Sequence, residues 1–158
     1  MSGSANRCGG CTLCCKLFEI PYLGSPAGHY CIYCTPNVGC SIWQARPDGC
    51  RVYACLWLAN YDTLDDGLRP DRCGVVFDPL PDTKIVVAKT GEDDPQAWQR
   101  DVCAQLIARL NRQGYAVITQ GGGRRMFLPE KMSASHVRRE LRRLWKESRN
   151  GPKQPQLH

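Results

Sequence analysis

No apolar run in the 158-residue chain approaches the ~20 residues that a helix needs to cross a bilayer, so the sequence predicts no membrane span. The opening Met-Ser-Gly-Ser-Ala-Asn-Arg also lacks an apolar stretch. That argues against a secretory signal or a targeting helix and predicts a cytoplasmic protein. No Ser-His-Asp arrangement, nucleotide fingerprint or working pair of carboxylates stands out, so no reaction can be read and enzyme status stays open. Gly121-Gly-Gly-Arg-Arg125 lacks the Lys-Ser/Thr of a phosphate loop and no helix follows it directly, which makes it a hairpin turn. An internal repeat is missing, as is an aromatic-rich platform for single-stranded nucleic acid.

What the chain does have is cysteine, eleven in all. In a reducing compartment an odd, clustered set fits a disulfide framework poorly and favours metal or redox chemistry. The densest stretch is Cys8-Gly-Gly-Cys11-Thr-Leu-Cys14-Cys15, and a second run supplies Cys34, Cys40, Cys50 and Cys55 at wider spacing. Thiolate sulfur is a polarisable donor, and a C-x2-C pair can place two sulfurs on one soft or borderline ion. Two such pairs overlap here through Cys11. The adjacent Cys14 and Cys15, whose side chains are expected to diverge, suit two neighbouring metals or one ligand and one spare thiol.

These eight cysteines are the candidate metal ligands. They match two zinc sites of four thiolates each, and they exceed the four required by one cubane cluster. The C-x2-C-x2-C spacing fits the first three ligands of a ferredoxin-type run, although the x3-C-P that should follow is absent. Zinc and an iron-sulfur cluster therefore both stay open. Cys8-x2-Cys11 alone could be a redox dithiol, but no strand precedes it. Cys31 is an extra thiol that could substitute as a ligand. His29, a lone histidine in a glycine-rich loop, is expected to face solvent. Cys73 and Cys103 read as core thiols, since free cysteine packs as a small hydrophobe.

Around the second run lies Ile42-Trp-Gln-Ala-Arg46-Pro47-Asp-Gly-Cys50-Arg51-Val-Tyr-Ala-Cys55. Together with the first run it resembles the CxxCxxCC family, the YkgJ-like cysteine-cluster proteins described as zinc- or iron-chelating. The resemblance covers Cys8 to about Trp57. It rests on the eight cysteines with Arg46, Pro47 and Arg51, and Trp43 stands where the family has tyrosine. It implies a chelating module and brings no established reaction.

Four thiolates on one divalent zinc leave a formal charge of minus two, so nearby donors are expected. Arg46 and Arg51 flank Cys50 in sequence and are the candidates. Charge elsewhere is uneven. After Gln120 there are ten Lys and Arg against three Asp and Glu, and the chain before it is nearly balanced. The basic excess lies on a C-terminal helix, which is either a solvated face or a surface for an acidic partner such as nucleic acid.

The predicted fold class is α+β: a cysteine-rich, metal-bound module over residues 1–59, a connector over 60–72, a ββαββα part over 73–150 and a disordered tail over 151–158. Residues 74–78 and 84–89 read as an antiparallel hairpin, and residues 115–119 and 125–128 as two further strands of a small antiparallel sheet. A helix with apolar positions Trp98, Val102, Leu106 and Leu110 is expected to open at Asp94-Pro95 and to stop at Gly114. Ser133 or Ser135 would cap the last helix, with Val137, Leu141 and Leu144 as its apolar stripe. The leading expectation is a cytoplasmic protein that holds structural zinc through its cysteines. The alternatives are an iron-sulfur protein, possible centre 4Fe-4S, with an electron-transfer or redox/methyl-transfer role, and a module that binds nucleic acid or an acidic partner through the Arg-rich helix.

Overall fold

The computed structural model describes residues 8–150. The N-terminal segment before Cys8 and the expected tail over 151–158 lie outside the described residues. The chain begins with short elements: α1 (Leu13–Leu17), a 3-10 turn (Pro21–Leu23), the two-stranded hairpin β1 (Cys34–Thr35) and β2 (Gly39–Cys40), a second 3-10 turn (Trp43–Ala45), α2 (Asp48–Val52) and α3 (Leu56–Ala59). The helices here are four or five residues long and bury none of their own residues completely. Such lengths are far below what holds a helix by propensity, so their shape depends on what surrounds them.

A 3-10 turn (Asp66–Leu68) and α4 (Pro70–Cys73) lead into the second part, with Leu68 already buried in the main core. Then come β3 (Val76–Pro79), β4 (Ile85–Lys89), α5 (Asp101–Arg112), β5 (Ala116–Gln120), β6 (Met126–Phe127) and α6 (Ala134–Asn150). The ββαββα order and the α+β class are as the sequence predicts.

The sheet order is β3-β4-β5-β6. Its two outer pairings are antiparallel, but β4 and β5 run parallel, with Ile85 opposite Ala116 and Ala88 opposite Thr119. The expected all-antiparallel sheet is therefore corrected to a mixed one. The physical reason is the connection: α5 lies between β4 and β5, and a chain that crosses a sheet through a helix returns in the same direction.

Alternation along the strands divides the core into two. Phe77, Val86, Ala88 and Val117 pack with Cys103, Leu106, Ile107 and Leu110 of α5, while Ile85, Ala116 and Ile118 pack with Val137 of α6. Successive side chains of a strand point to opposite faces, so one sheet serves both helices. α5 opens at Asp101, later than Asp94-Pro95, because that dipeptide starts a turn that passes through a 3-10 segment at Ala97–Gln99. Gly114, at φ 87°, ends it, and Tyr115 N–H donates back to the Leu110 carbonyl. Ser133 caps α6, its Oγ accepting from His136 N–H at 3.2 Å.

Candidate metal centre

All eight candidate ligands, and Cys31 with them, line one cavity of about 590 Å³. Each arrives on a short element with a local reason for its place. Cys14 and Cys15 sit in α1, and Cys8 and Cys11 lie in the loop before it, closed by Cys11 N–H donating to the Cys8 carbonyl at 2.6 Å. Gly10 is needed in that loop, since a Cβ there would stand 2.5 Å from the Asn37 carbonyl oxygen. The turn at Asn37 in turn closes the β1–β2 hairpin, in which Cys34 is the direct cross-strand partner of Cys40. Directly opposed residues of an antiparallel pair project to the same face. Cys50 lies in α2, and Cys55 caps α3, its sulfur accepting from Leu58 N–H.

The thiols influence one another across the whole cavity: Cys8 is raised by burial and by Cys55 and Cys15, and Cys31 by burial and by Cys15, Cys40 and Cys50. Cys14 also feels the charge of Cys8 and Cys11, and Cys34 that of Cys15 and Cys31. Cys14 and Cys15, adjacent in α1, shift each other's titration in opposite directions. Their interaction leads in holding Cys15 down to about 6 and in raising Cys14 well above its ordinary value. Burial leads in pushing Cys11 up to about 11 and Cys34 to about 12.

Charge around the cavity is arranged differently from the sequence expectation. Arg46 lies over the Trp43 ring at 3.4 Å and donates to the backbone carbonyls of Trp43 and Cys50, and Arg51 donates to the Arg46 carbonyl. Neither guanidinium donates to the sulfur of Cys50 among the described residues. Arg46 acts instead at a distance, favouring the thiolate forms of Cys8 and Cys15.

Several contributors carry no signal in the sequence. Arg69 Nη2 donates to the Cys8 carbonyl at 2.8 Å, and the buried Thr12 Oγ1 accepts from Asn37 N–H at 3.1 Å, which ties the loop before α1 to the β1–β2 turn. Tyr22 Oη stands 3.4 Å from Cys50 Sγ, and burial is the first cause that keeps its phenol protonated. A tyrosine 28 residues from its cysteine has no spacing rule to reveal it.

The cavity rests on the sheet through charge and aromatic contact. Phe18 packs against Tyr53 with ring centroids 5.0 Å apart, and Lys89 Nζ lies 3.7 Å over the Phe18 ring while pairing with Asp78 at 3.5 Å. On the cavity wall, Trp57 Nε1 is buried without a hydrogen-bond partner among the described residues, while Tyr53 Oη lies toward Asp78. Buried donors left without an acceptor are costly, so the wall suits contents that offer acceptor sulfur.

Among the described residues, no three Cys, His, Asp or Glu side chains are disposed to hold one metal ion as they stand. The thiols share a space rather than a single tetrahedron. His29 is exposed, its ring nitrogen 3.4 Å from the Ala27 carbonyl, and does not line the cavity. Cys73 and Cys103 are 1% and 0% exposed in the main core, as expected of core thiols, and Cys73 Sγ donates to the Leu68 and Val75 carbonyls. On α6, Arg143 pairs with Glu140 and Glu147, and Arg149 stacks on the exposed Trp145. No described helix is long and apolar enough to cross a membrane.

No protein-family model, curated protein or solved structure matches the chain.

Proposed function

We propose that the chain is a thiolate metal-binding protein whose N-terminal part closes around metal held by Cys8, Cys11, Cys14, Cys15, Cys34, Cys40, Cys50 and Cys55. The observation that carries this reading is the convergence of all eight, with Cys31, on one cavity. Donor chemistry supports it, since soft sulfur suits zinc, copper(I) and iron-sulfur centres. It also agrees with what the CxxCxxCC resemblance implies. Zinc is the first assignment, in a structural role. A centre filled by thiolates leaves no open position for water, and hydrolysis is not the expected chemistry. The protein's own residues hold and neutralise the sulfurs, with Arg46 and Arg69 countering their charge.

Two observations favour iron and sulfide as a second reading. The cavity is far larger than one ion needs, and its wall carries the unpartnered donor Trp57 Nε1. Cluster sulfide would accept from such a donor, which also tunes a cluster's potential. The deciding experiment is anaerobic purification followed by elemental analysis and a visible spectrum. Colourless protein with one or two zinc ions supports the first assignment. Brown protein with stoichiometric iron and acid-labile sulfide replaces it with the second. Anaerobic protein that binds neither metal, after reduction and reconstitution, overturns the proposal.

A further inference from the structure

The strand-like closure of the loop after α1 fixes one side chain with unusual care. Ile20 and Ser25 pair across it, with Ile20 N–H donating to the Ser25 carbonyl at 2.8 Å and Ser25 N–H returning to the Ile20 carbonyl at 3.2 Å. Between them Pro21 starts the 3-10 turn and Gly24, at φ 63°, ends it, which leaves Tyr22 little freedom of backbone. From the other side, Pro47 opens α2 and its carbonyl accepts from Cys50 N–H. The result is the 3.4 Å approach of Tyr22 Oη to Cys50 Sγ.

Gly49 makes that approach possible. A Cβ at this position would stand 2.5 Å from Tyr22 Oη and 3.2 Å from Cζ, so any other residue would push the phenol away from its cysteine. Gly49 has no positive φ to account for its being glycine, and alanine is the better helix former in the first turn of α2. The space it leaves is occupied by the tyrosine.

We infer that Tyr22 is a positioning residue of the metal centre, donating an O–H···S hydrogen bond to the Cys50 thiolate, and that Gly49 is the clearance for this bond. The inference rests on the metal-binding reading and assigns the Cys50 donor to a tyrosine where sequence proximity points to Arg46 and Arg51. A phenol that donates to a ligating sulfur withdraws electron density from it. The thiolate then becomes a weaker nucleophile and its charge-transfer band moves to higher energy.

The test uses the full chain, reduced and metal-free, titrated with Co(II) alone. Wild type is compared with Tyr22→Phe and Gly49→Ala, and circular dichroism confirms that each variant is folded. The expected result is an unchanged Co(II) stoichiometry, with the sulfur-to-cobalt band shifted to lower energy in both variants. In the loaded protein, alkylation of Cys50 by iodoacetamide, mapped by mass spectrometry, rises about tenfold, the lower end of the scale for losing a hydrogen bond to a charged group. Identical bands and identical Cys50 alkylation in wild type and both variants overturn the inference and leave the metal-binding reading standing. Wild type that develops no sulfur-to-cobalt band overturns both.

Discussion

Residues 73–150 bury their aliphatic side chains, and residues 8–59 leave several of theirs outside. Val75, Val76, Val86, Val117 and Val137 have no exposed surface, whereas Ile32, Val38 and Val52 stand in solvent. α5 runs for 12 residues and buries four of them, while α1, α2 and α3 bury none. The difference shows two ways of fixing a chain. The sheet part is organised by apolar burial, and the cysteine part is organised around a cavity whose walls are thiols. A region with so little core needs another source of folding energy, and metal binding is one that small cysteine-rich modules use.

The largest expected effect comes from breaking that source. Stripping the loaded, reduced protein with a strong chelator removes about 10 kcal/mol or more of apparent binding energy from the cysteine part. Amide exchange over residues 8–59 then becomes fast while β4 and β5 keep their protection. Loss of protection along the whole chain together would show that the two regions form one cooperative unit, and the contrast drawn here would fail. Cys14→Ser is expected to act in the same direction at unchanged pH and reductant.

The converse perturbation is Leu106→Ala on α5. Leu106 is 5% exposed in the main core, so truncation costs about 3 kcal/mol through lost burial and the cavity left behind. Thermal melting should fall accordingly. Metal stoichiometry measured below the new melting point should not change. Metal lost in proportion to stability would mean that the site depends on the sheet.

These two perturbations also separate what the sequence made legible from what it hid. The strands and helices of residues 76–150 could be read because their periodicity comes from burial on one face, as in Leu106, Leu110 and Val137. The parallel pairing of β4 with β5 follows from α5 crossing between them, a rule of connection that residue patterns alone do not display. In the cysteine part, the ligand candidates were readable because sulfur chemistry requires the residue type itself. Their grouping was not: the Cys34–Cys40 pairing and the Tyr22–Cys50 approach depend on turns at Asn37 and Gly24 that have no periodic signature. Where the two arginines end was hidden for a related reason: closeness in sequence does not determine where a long side chain ends, and Arg46 reaches the Trp43 and Cys50 carbonyls while Arg51 reaches that of Arg46.

A smaller effect is expected at the joint between the regions. Lys89 and Asp78 have side chains 22% and 14% exposed, and the Lys89 ammonium also lies on Phe18. Lys89→Ala leaves the Asp78 carboxylate half-buried without its partner and removes the cation from the ring, at a cost of about 2 kcal/mol. Urea unfolding of the metal-free and loaded forms should show this loss in both. A loss confined to the loaded form would place the pair within the metal centre rather than beneath it.

The smallest expected effect is a pH dependence that only the metal-free cavity shows. Cys11 and Cys34 are raised to about 11 and about 12 from an ordinary value of 9.0, chiefly by burial. Between pH 9 and those values the folded state binds more protons than the unfolded one, so this stabilisation is fully present below about pH 9 and is lost as the pH rises above it. Cys15, held down to about 6 chiefly by Cys14, acts oppositely: its contribution is present above pH 9 and is lost as the pH falls toward 6. The metal-free protein should therefore melt highest near pH 9 and lower by a few degrees on either side, as expected for partly exposed groups. In the loaded protein the same thiols are already deprotonated on metal, and their part of the curve should be flat. Cys73 and Cys103 lie outside the cavity, so the difference between the two melting curves reports the groups that line it, the thiols together with Tyr22 and Tyr53. Superimposable curves would mean that no metal takes its sulfurs from this cavity, and the proposal that metal fixes the cysteine part would fail.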